Sequence, residues 1–243
     1  MKPGIVKAGK WLLNALLPRT CAHCALDLHY LEEAPLCPGC RAGLEPLSQP
    51  YCARCGLPLQ DGGRDCYDCR GSGGPRALAL ARSAFVFNAQ LRSAVHAFKY
   101  RGRKDLSVFL SREMARELER FPELSAYKFI VAVPLHPAKL RERGFNQAEL
   151  LAGGLAPAAG LFHLEGAAAR LRDTRSQTTL SKAERRANMA GAFGAAKPEL
   201  VKGRSILLVD DVATTLATLE ALAAALKNAG AKAVAAYTLA REP

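Results

Sequence analysis

The sequence predicts an α/β protein, a parallel sheet with helices on both faces, preceded by a small module held together by metal more than by a core. Three observations lead there. Beyond residue 77, short apolar runs alternate with segments of helical periodicity, the pattern of strands buried on both sides by crossover helices. All eight cysteines lie between residues 21 and 69, each in a C-x-x-C pair. Between the two compositions, residues 71–75 read GSGGP, a linker signal. The expected organisation is a helical segment at 1–20, the cysteine module at 21–70, a linker at 71–76 and the α/β domain at 77–243.

In chain order, the first element is an amphipathic helix around the apolar run 11–17. That run is far shorter than the roughly 20 residues of a bilayer span. Lysines precede it, but Pro18, Arg19 and a cysteine follow where a secretory signal would carry a small-residue cleavage site. The reading is a helix that docks on protein, with no membrane span and a cytoplasmic location.

The cysteine pairs come next: Cys21 and Cys24, Cys37 and Cys40, Cys52 and Cys55, Cys66 and Cys69, separated by gaps of 12, 11 and 10 residues. A C-x-x-C hook lets two thiolates converge on one tetrahedral ion, and two hooks complete a four-sulfur zinc site. Four hooks predict two structural zinc ions. Sequential pairing, first hook with second and third with fourth, needs the shorter closing loops; interleaved pairing stays open on spacing alone. A disulfide framework lacks the secretory signal it would need. His23 and His29 are spare, since four sulfurs suffice. With few apolar residues between the hooks, folding of the module should depend on metal, an effect of about 10–16 kcal/mol per site.

Charge is unevenly spread. The formal net charge is +12, and it resides mainly beyond residue 70, while residues 21–70 are net acidic. Each four-thiolate zinc site adds about −2, so the module is poorly suited to grip nucleic acid by charge alone. The C-terminal part attracts phosphate-bearing partners, small ligands or nucleic acid.

In that part, strands are expected at 83–87, 129–133, 205–209 and 233–238, and helices at 90–99, 105–120, 146–158, 181–190 and 216–229. Lys227, Asn228 and Gly230 make a helix stop. Ligands of such sheets sit at the carboxyl ends of strands, which directs attention to residues 206–218, ILLVDDVATTLAT. Asp210 and Asp211 stand where the apolar strand runs out. Val212 to Thr215 would then form a turn of unpaired N–H groups with hydroxyls beside a helix N-terminus, a setting that favours an anion. Carboxylates cannot hold that anion, but they can accept hydrogen bonds from the hydroxyls of a sugar attached to it. The stretch reads as a ribose 5-phosphate cradle. The competing reading is a solvated strand end with a threonine N-cap. A Walker loop, G-x-x-x-x-G-K-[ST], is absent from the chain.

Here the residues carry a resemblance. The segment from Val209 to Thr218 resembles the ribose-phosphate loop of type I phosphoribosyltransferases. Further marks are Phe98, Lys99 and Tyr100; Val133 and Pro134; Arg143 through Gln147; Arg175 through Gln177; Leu180 and Ser181; Arg185, Asn188, Ala192 and Phe193. With a double zinc ribbon ahead of them, these make the chain similar, over nearly its whole length, to the ComF family of competence-associated proteins. The resemblance implies a type I phosphoribosyltransferase-like sheet with a site for phosphoribosyl pyrophosphate and magnesium. It implies that Asp210 and Asp211 hold the ribose 2- and 3-hydroxyls and steady an oxocarbenium-like centre as pyrophosphate leaves. Thr214, Thr215 and Thr218, with the amides of Val212, Ala213, Leu216 and Ala217, would hold the 5-phosphate. The turn at Pro134 and Leu135 would face the pyrophosphate, with Arg141 and Arg143 as counter-charges; Lys99 would be a further ligand-binding residue, and Arg175 and Gln177 would form a mobile cover. For the arginines the alternative is surface salt bridging, and for Lys99 a solvated helix end. One departure stands out: where the family's loop ordinarily has glycine, this chain has Leu216. If that position needs positive φ, a side chain there costs about 1 kcal/mol or more, and leucine is expected to weaken binding or to leave the fold without catalysis.

Three functions of different class follow. One is phosphoribosyl transfer to a nitrogenous acceptor. The second is binding of single-stranded nucleic acid during natural transformation, through basic runs at 99–104, 139–143 and 170–175, with Tyr100 and Phe145 as stacking groups or buried anchors. The third is an adaptor whose zinc module docks proteins of the competence machinery.

Overall fold

The computed structural model describes residues 18–60, 62–71, 77–172, 189 and 191–243. The expected helix at 11–17, the linker from 72 onward, the helix at 181–190 apart from Met189, and the cover residues Arg175 and Gln177 lie outside the described residues.

The cysteine region carries two short helices, α1 (Pro38–Ala42) and α2 (Tyr67–Arg70), each starting within a C-x-x-C hook. The larger part follows as β1 (Ala81–Val86), α3 (Ala89–Tyr100), α4 (Asp105–Leu118), β2 (Phe129–Ala132), α5 (Pro137–Arg143), α6 (Gln147–Ala158), β3 (Phe162–His163), β4 (Ala168–Arg170), β5 (Phe193–Ala195), α7 (Pro198–Val201), β6 (Ser205–Ala213), α8 (Ala217–Asn228) and β7 (Ala233–Arg241). Five strands form one sheet in the order β1-β7-β6-β2-β3, all neighbours parallel. The expected parallel sheet with helices on both faces is present. β4 and β5 form a separate antiparallel pair.

The order reverses between β2 and β6. β2 leads to β3 on one side of that line and β6 leads to β7 on the other. Right-handed crossovers in opposite directions put their helices on opposite faces, so α6 packs on β2, β3 and β6, and α8 packs on β7 beside β5. At such a reversal the loops diverge and open a crevice at the carboxyl ends of the strands. α4 closes tightly over α6: a Cβ on Gly154 would lie 2.8 Å from the Ser111 Cβ, so only glycine lets these helices approach.

Two expected strands are longer than predicted, and the reason is satisfied polarity. Ser83 Oγ and Thr238 Oγ1 pair at 2.6 Å inside the sheet, and the Tyr237 hydroxyl donates to Met114 O at 2.7 Å. A buried polar group with a partner loses most of its burial penalty, so β7 continues through Thr238 to Arg241, past the expected end at residue 238. The sequence reading missed α5, although Pro137 at its first turn and Gly144 at φ 78° after its end are its start and stop signals. β3, two residues long with Phe162 exposed, carries too little pattern to foresee.

The cysteine region does not stand apart from the sheet. β1 is an edge strand, and residues 45–54 cover that edge. Leu47 N–H donates to Ala84 O, Val86 N–H to Glu45 O and Ala81 N–H to Arg54 O, at 2.7–2.9 Å. Arg82, only 6% exposed, donates to Ala53 O at 2.9 Å and pairs with Glu123 at 2.5 Å. An unpaired edge of backbone donors and acceptors is thereby removed.

Candidate functional site

β6 builds the centre of the site. Its ladder with β2 stops at Val209, whereas its ladder with β7 continues to Ala213. Asp210 and Asp211 thus lie within a strand that has lost one neighbour. This corrects the expectation that the strand ends at residue 209: the extension of β7 carries β6 four residues further, and only the β2 side opens. Val212 and Ala213 are accordingly strand residues rather than turn residues.

Each aspartate accepts the N–H of the residue after it, Asp211 N–H on Asp210 Oδ1 at 2.9 Å and Val212 N–H on Asp211 Oδ1 at 2.8 Å. Asp210 is half-buried and Asp211 is 4% exposed. From α3, Lys99 Nζ comes within 2.5 Å of Asp211 Oδ2. At that distance the contact is a charge-assisted ion pair, and the ammonium is the partner of that oxygen among the described residues. Burial alone would lower the Lys99 ammonium, but the carboxylates of Asp211 and Asp210 more than offset it and raise its pKa. Asp210 is pushed up to about 8, by burial first and by the Asp211 charge second, with Lys99 acting against both.

Two of the motifs hold Lys99 and the turn after β2 in place. Phe98 and Phe145 stack at 5.6 Å, and the Arg143 guanidinium lies 5.3 Å from the Tyr100 ring centroid. Asn146 caps α6 by accepting the Ala148 N–H at 3.1 Å and donates to Val133 O at 3.0 Å. Of the two candidate stacking groups, Phe145 is a buried anchor at 8% exposed and Tyr100 is open at 66%. Arg143 also donates to Gln147 Oε1 at 2.5 Å. Pro134 and Leu135 lie half-buried in the turn, and the His136 ring caps α5. Arg141 is exposed and forms no ion pair among the described residues, so the structure does not draw it to the aspartates. In the basic run at 99–104, Arg103 is bound bidentately by Asp105 and reaches Thr20 O.

The loop then turns sharply. Leu216 has φ 63° and ψ 6°, the left-handed region, and α8 starts at Ala217. The position does require positive φ, as glycine would supply without strain. The leucine side chain is buried at 5% exposed and belongs to the apolar core, so its cost falls on the backbone and not on a filled cleft. The first internal bond of α8 is Glu220 N–H on Leu216 O, which leaves the earlier amides for caps or a ligand. Ala217 N–H makes a long contact of 3.4 Å with Thr215 Oγ1, and Thr218 Oγ1 reaches Met189 Sδ at 3.7 Å. Thr214 is half-buried in the same bend. Beneath the loop lies a residue that the sequence reading missed. Arg241, 5% exposed, donates through Nη1 to the carbonyls of Ala213, Thr214 and Glu242. Its only sequence signal was a cation closing an apolar run.

The cysteines gather as Cys21, Cys24, Cys37 and Cys40 in one group and Cys52, Cys55, Cys66 and Cys69 in the other, with all sulfurs of a group within 4.8 Å of one another. Sequential pairing is the observed one. Cys24 and Cys37 sulfurs are 3.8 Å apart and those of Cys55 and Cys66 are 3.6 Å apart. A tetrahedron of zinc–sulfur bonds has edges of about 3.8 Å for bonds of about 2.3 Å, so both groups fit structural zinc. Burial opposes the Cys21 thiolate, yet the N–H groups of Cys37, Cys24 and His23 bring it down to about 6; similar donors bring Cys52 to about 7. His23 contacts Ser93 and His29 a local backbone N–H, and neither joins a group.

Comparison with known proteins agrees with this geometry. A double zinc ribbon domain matches residues 12–70, and a phosphoribosyl transferase domain matches residues 145–243. DNA utilization protein YhgH of Salmonella typhimurium is 31% identical over 229 residues, 93% of this chain and 98% of that protein. Competence protein F of Haemophilus influenzae is 29% identical over 225 residues, covering 91% and 96%. Competence protein ComFC of Streptococcus pneumoniae is 29% identical over 219 residues, covering 86% and 89%. With two sulfur tetrads ahead of a sheet of this topology, the chain belongs to the ComF family of competence-related, phosphoribosyltransferase-like proteins.

Proposed function

We propose that the crevice beside Asp210 and Asp211 binds phosphoribosyl pyrophosphate with magnesium, and that the chain acts in DNA uptake and processing during natural transformation. The observation that carries this reading is the acid pair where β6 has lost its β2 neighbour: half-buried Asp210, and buried Asp211 whose Oδ2 is paired among the described residues with the Lys99 ammonium. With that ammonium displaced, a ribose hydroxyl can donate to Oδ2. The half-buried Asp210 takes the neighbouring hydroxyl. The 5-phosphate rests on the bend from Thr214 to Thr218, where the carbonyls of Ala213 and Thr214 are turned toward Arg241 and the first amides of α8 face the anion. Pyrophosphate lies toward the turn at Pro134 and Leu135, with Arg143 and the exposed Arg141 as counter-charges and Arg175 and Gln177 as a cover. Magnesium bound with the pyrophosphate would supply charge screening; ionised Asp211 would steady positive charge on the sugar carbon during transfer to a nitrogenous acceptor, joined by Asp210 once it has lost its proton.

Leu216 favours a second reading, a chain that keeps the fold without turnover and handles single-stranded nucleic acid or competence proteins. Its backbone lies in the left-handed region at φ 63°, which costs a side chain about 1 kcal/mol or more, and the open Tyr100 ring offers a base a stacking face. Calorimetric titration of phosphoribosyl pyrophosphate with magnesium tests the first reading. Saturable binding by the wild type that is absent from Asp210→Asn/Asp211→Asn supports the site, and equal behaviour of the two proteins overturns it.

A further inference from the structure

We infer that Lys99 is a charge-exchange latch that makes the site selective for pyrophosphate-bearing sugars: it holds Asp211 until a pyrophosphate group competes for it, and its departure frees Asp211 for the ribose. The inference rests on the proposed ribose-phosphate site and adds to it the residue that couples its two halves.

Asp211 has two oxygens, and both are covered. Oδ1 takes the Val212 N–H at 2.8 Å, and Lys99 Nζ sits 2.5 Å from Oδ2. The Asp211 side chain is only 5% exposed, while Lys99 above it is 20% exposed. A hydroxyl approaching from the crevice therefore meets the ammonium before the carboxylate. For Asp211 to accept it, Lys99 must move.

The chemistry of lysine suits that movement. Its ammonium is a point charge on a flexible stem, whereas a guanidinium would grip the carboxylate through two parallel bonds. The backbone beneath Lys99 is fixed, because Phe98 is fully buried and stacked on Phe145. Only the side chain is free to change partner.

The competitor arrives on the correct side. The segment that carries Phe145 also carries Asn146, which ties down Val133 at the start of the turn assigned to pyrophosphate. Lys99 and that turn thus share one support. A pyrophosphate carries more negative charge than one aspartate, so it draws the ammonium across. Asp211 is then left as a buried anion with an empty oxygen, which strongly favours a hydroxyl donor. Ribose 5-phosphate alone offers no such exchange and competes with Lys99 for Asp211.

The experiment is a calorimetric coupling measurement on the full zinc-loaded chain, using ribose 5-phosphate and magnesium pyrophosphate separately and together. In the wild type, magnesium pyrophosphate is expected to tighten ribose 5-phosphate about fivefold or more, a usual size for coupled sites. In Lys99→Met the coupling should vanish. There ribose 5-phosphate alone should bind roughly tenfold tighter and phosphoribosyl pyrophosphate roughly tenfold weaker, one charge-assisted contact being exchanged in each case. A structural role for Lys99 would weaken both ligands together. Independent or competing binding of the two ligands to the wild type overturns the latch, and that measurement needs no variant to fold. Coupling retained in Lys99→Met also overturns it. If phosphoribosyl pyrophosphate itself fails to bind the wild type, the ribose-phosphate site falls, and the latch with it.

Discussion

The zinc ribbons and the crevice beside Asp210 and Asp211 are built by opposite means. Each sulfur group draws its ligands from a segment of about 20 residues, closed by two hooks of fixed spacing. The crevice draws Lys99 from α3, the Val133 turn from β2, Asn146 from α6, the aspartates from β6 and Arg241 from β7. A ribbon is specified by local spacing, and it holds as long as its ion does. The crevice is specified by topology, and it holds as long as the sheet does. The two are nonetheless joined, because residues 45–54 complete the edge of β1.

The strongest attempt to break this contrast is to strip zinc. Chelation should remove about 10–16 kcal/mol per site and, because the ribbons share β1 and the apolar core with the sheet, should unfold both regions in one thermal transition. Two separate transitions in calorimetry would show the ribbons to be independent. Next in size is Arg241→Met, which leaves buried carbonyls of Ala213 and Thr214 without their donor. It should destabilise by about 3 kcal/mol, the range for hydrogen bonds to a charged group, with urea denaturation as the measure. Zinc content should stay at two ions per chain, since both sulfur groups are left intact.

Asp210 gives a pH signature confined to the crevice. Its folded pKa of about 8 lies above its ordinary value of 3.8, so the folded state binds the proton more tightly than the unfolded state. Stability from this group is complete below about pH 4 and is lost as pH rises through about 8, each unit being worth about 1.4 kcal/mol. Asp210→Asn should flatten that fall, and its melting temperature should gain on the wild type between pH 5 and pH 8. A gap that does not change with pH would place Asp210 in contact with solvent.

The smallest effect is at Leu216. Replacing it with glycine relieves about 1 kcal/mol of left-handed strain but gives up about 2 kcal/mol of buried side chain. Leu216→Gly should therefore be less stable by about 1 kcal/mol and yet bind phosphoribosyl pyrophosphate more tightly. Calorimetry showing no gain in affinity would show that the left-handed turn at Leu216 does not limit binding.

What could be read from the sequence follows the same contrast. The hooks, the parallel sheet and the acid pair were legible because each is a local pattern with its own period. The end of β6 was not, since whether Asp210 continues a strand depends on β7, whose length depends on Ser83 answering Thr238 across the sheet. Arg241 was illegible for a related reason: a terminal cation is ordinarily solvated, and only the fold brings three carbonyls to it. Lys99 was singled out in the sequence, but its contact with Asp211 could not be named, because Asp211 lies 112 positions away.

The cover over β1 also bears on how the protein fails. Should the ribbons lose their ions, residues 45–54 would peel back and bare a strand of unsatisfied amides beside apolar Ala84 and Phe85, a template on which a second chain can extend the sheet. Metal scarcity would then turn an ordered surface into a nucleus for aggregation.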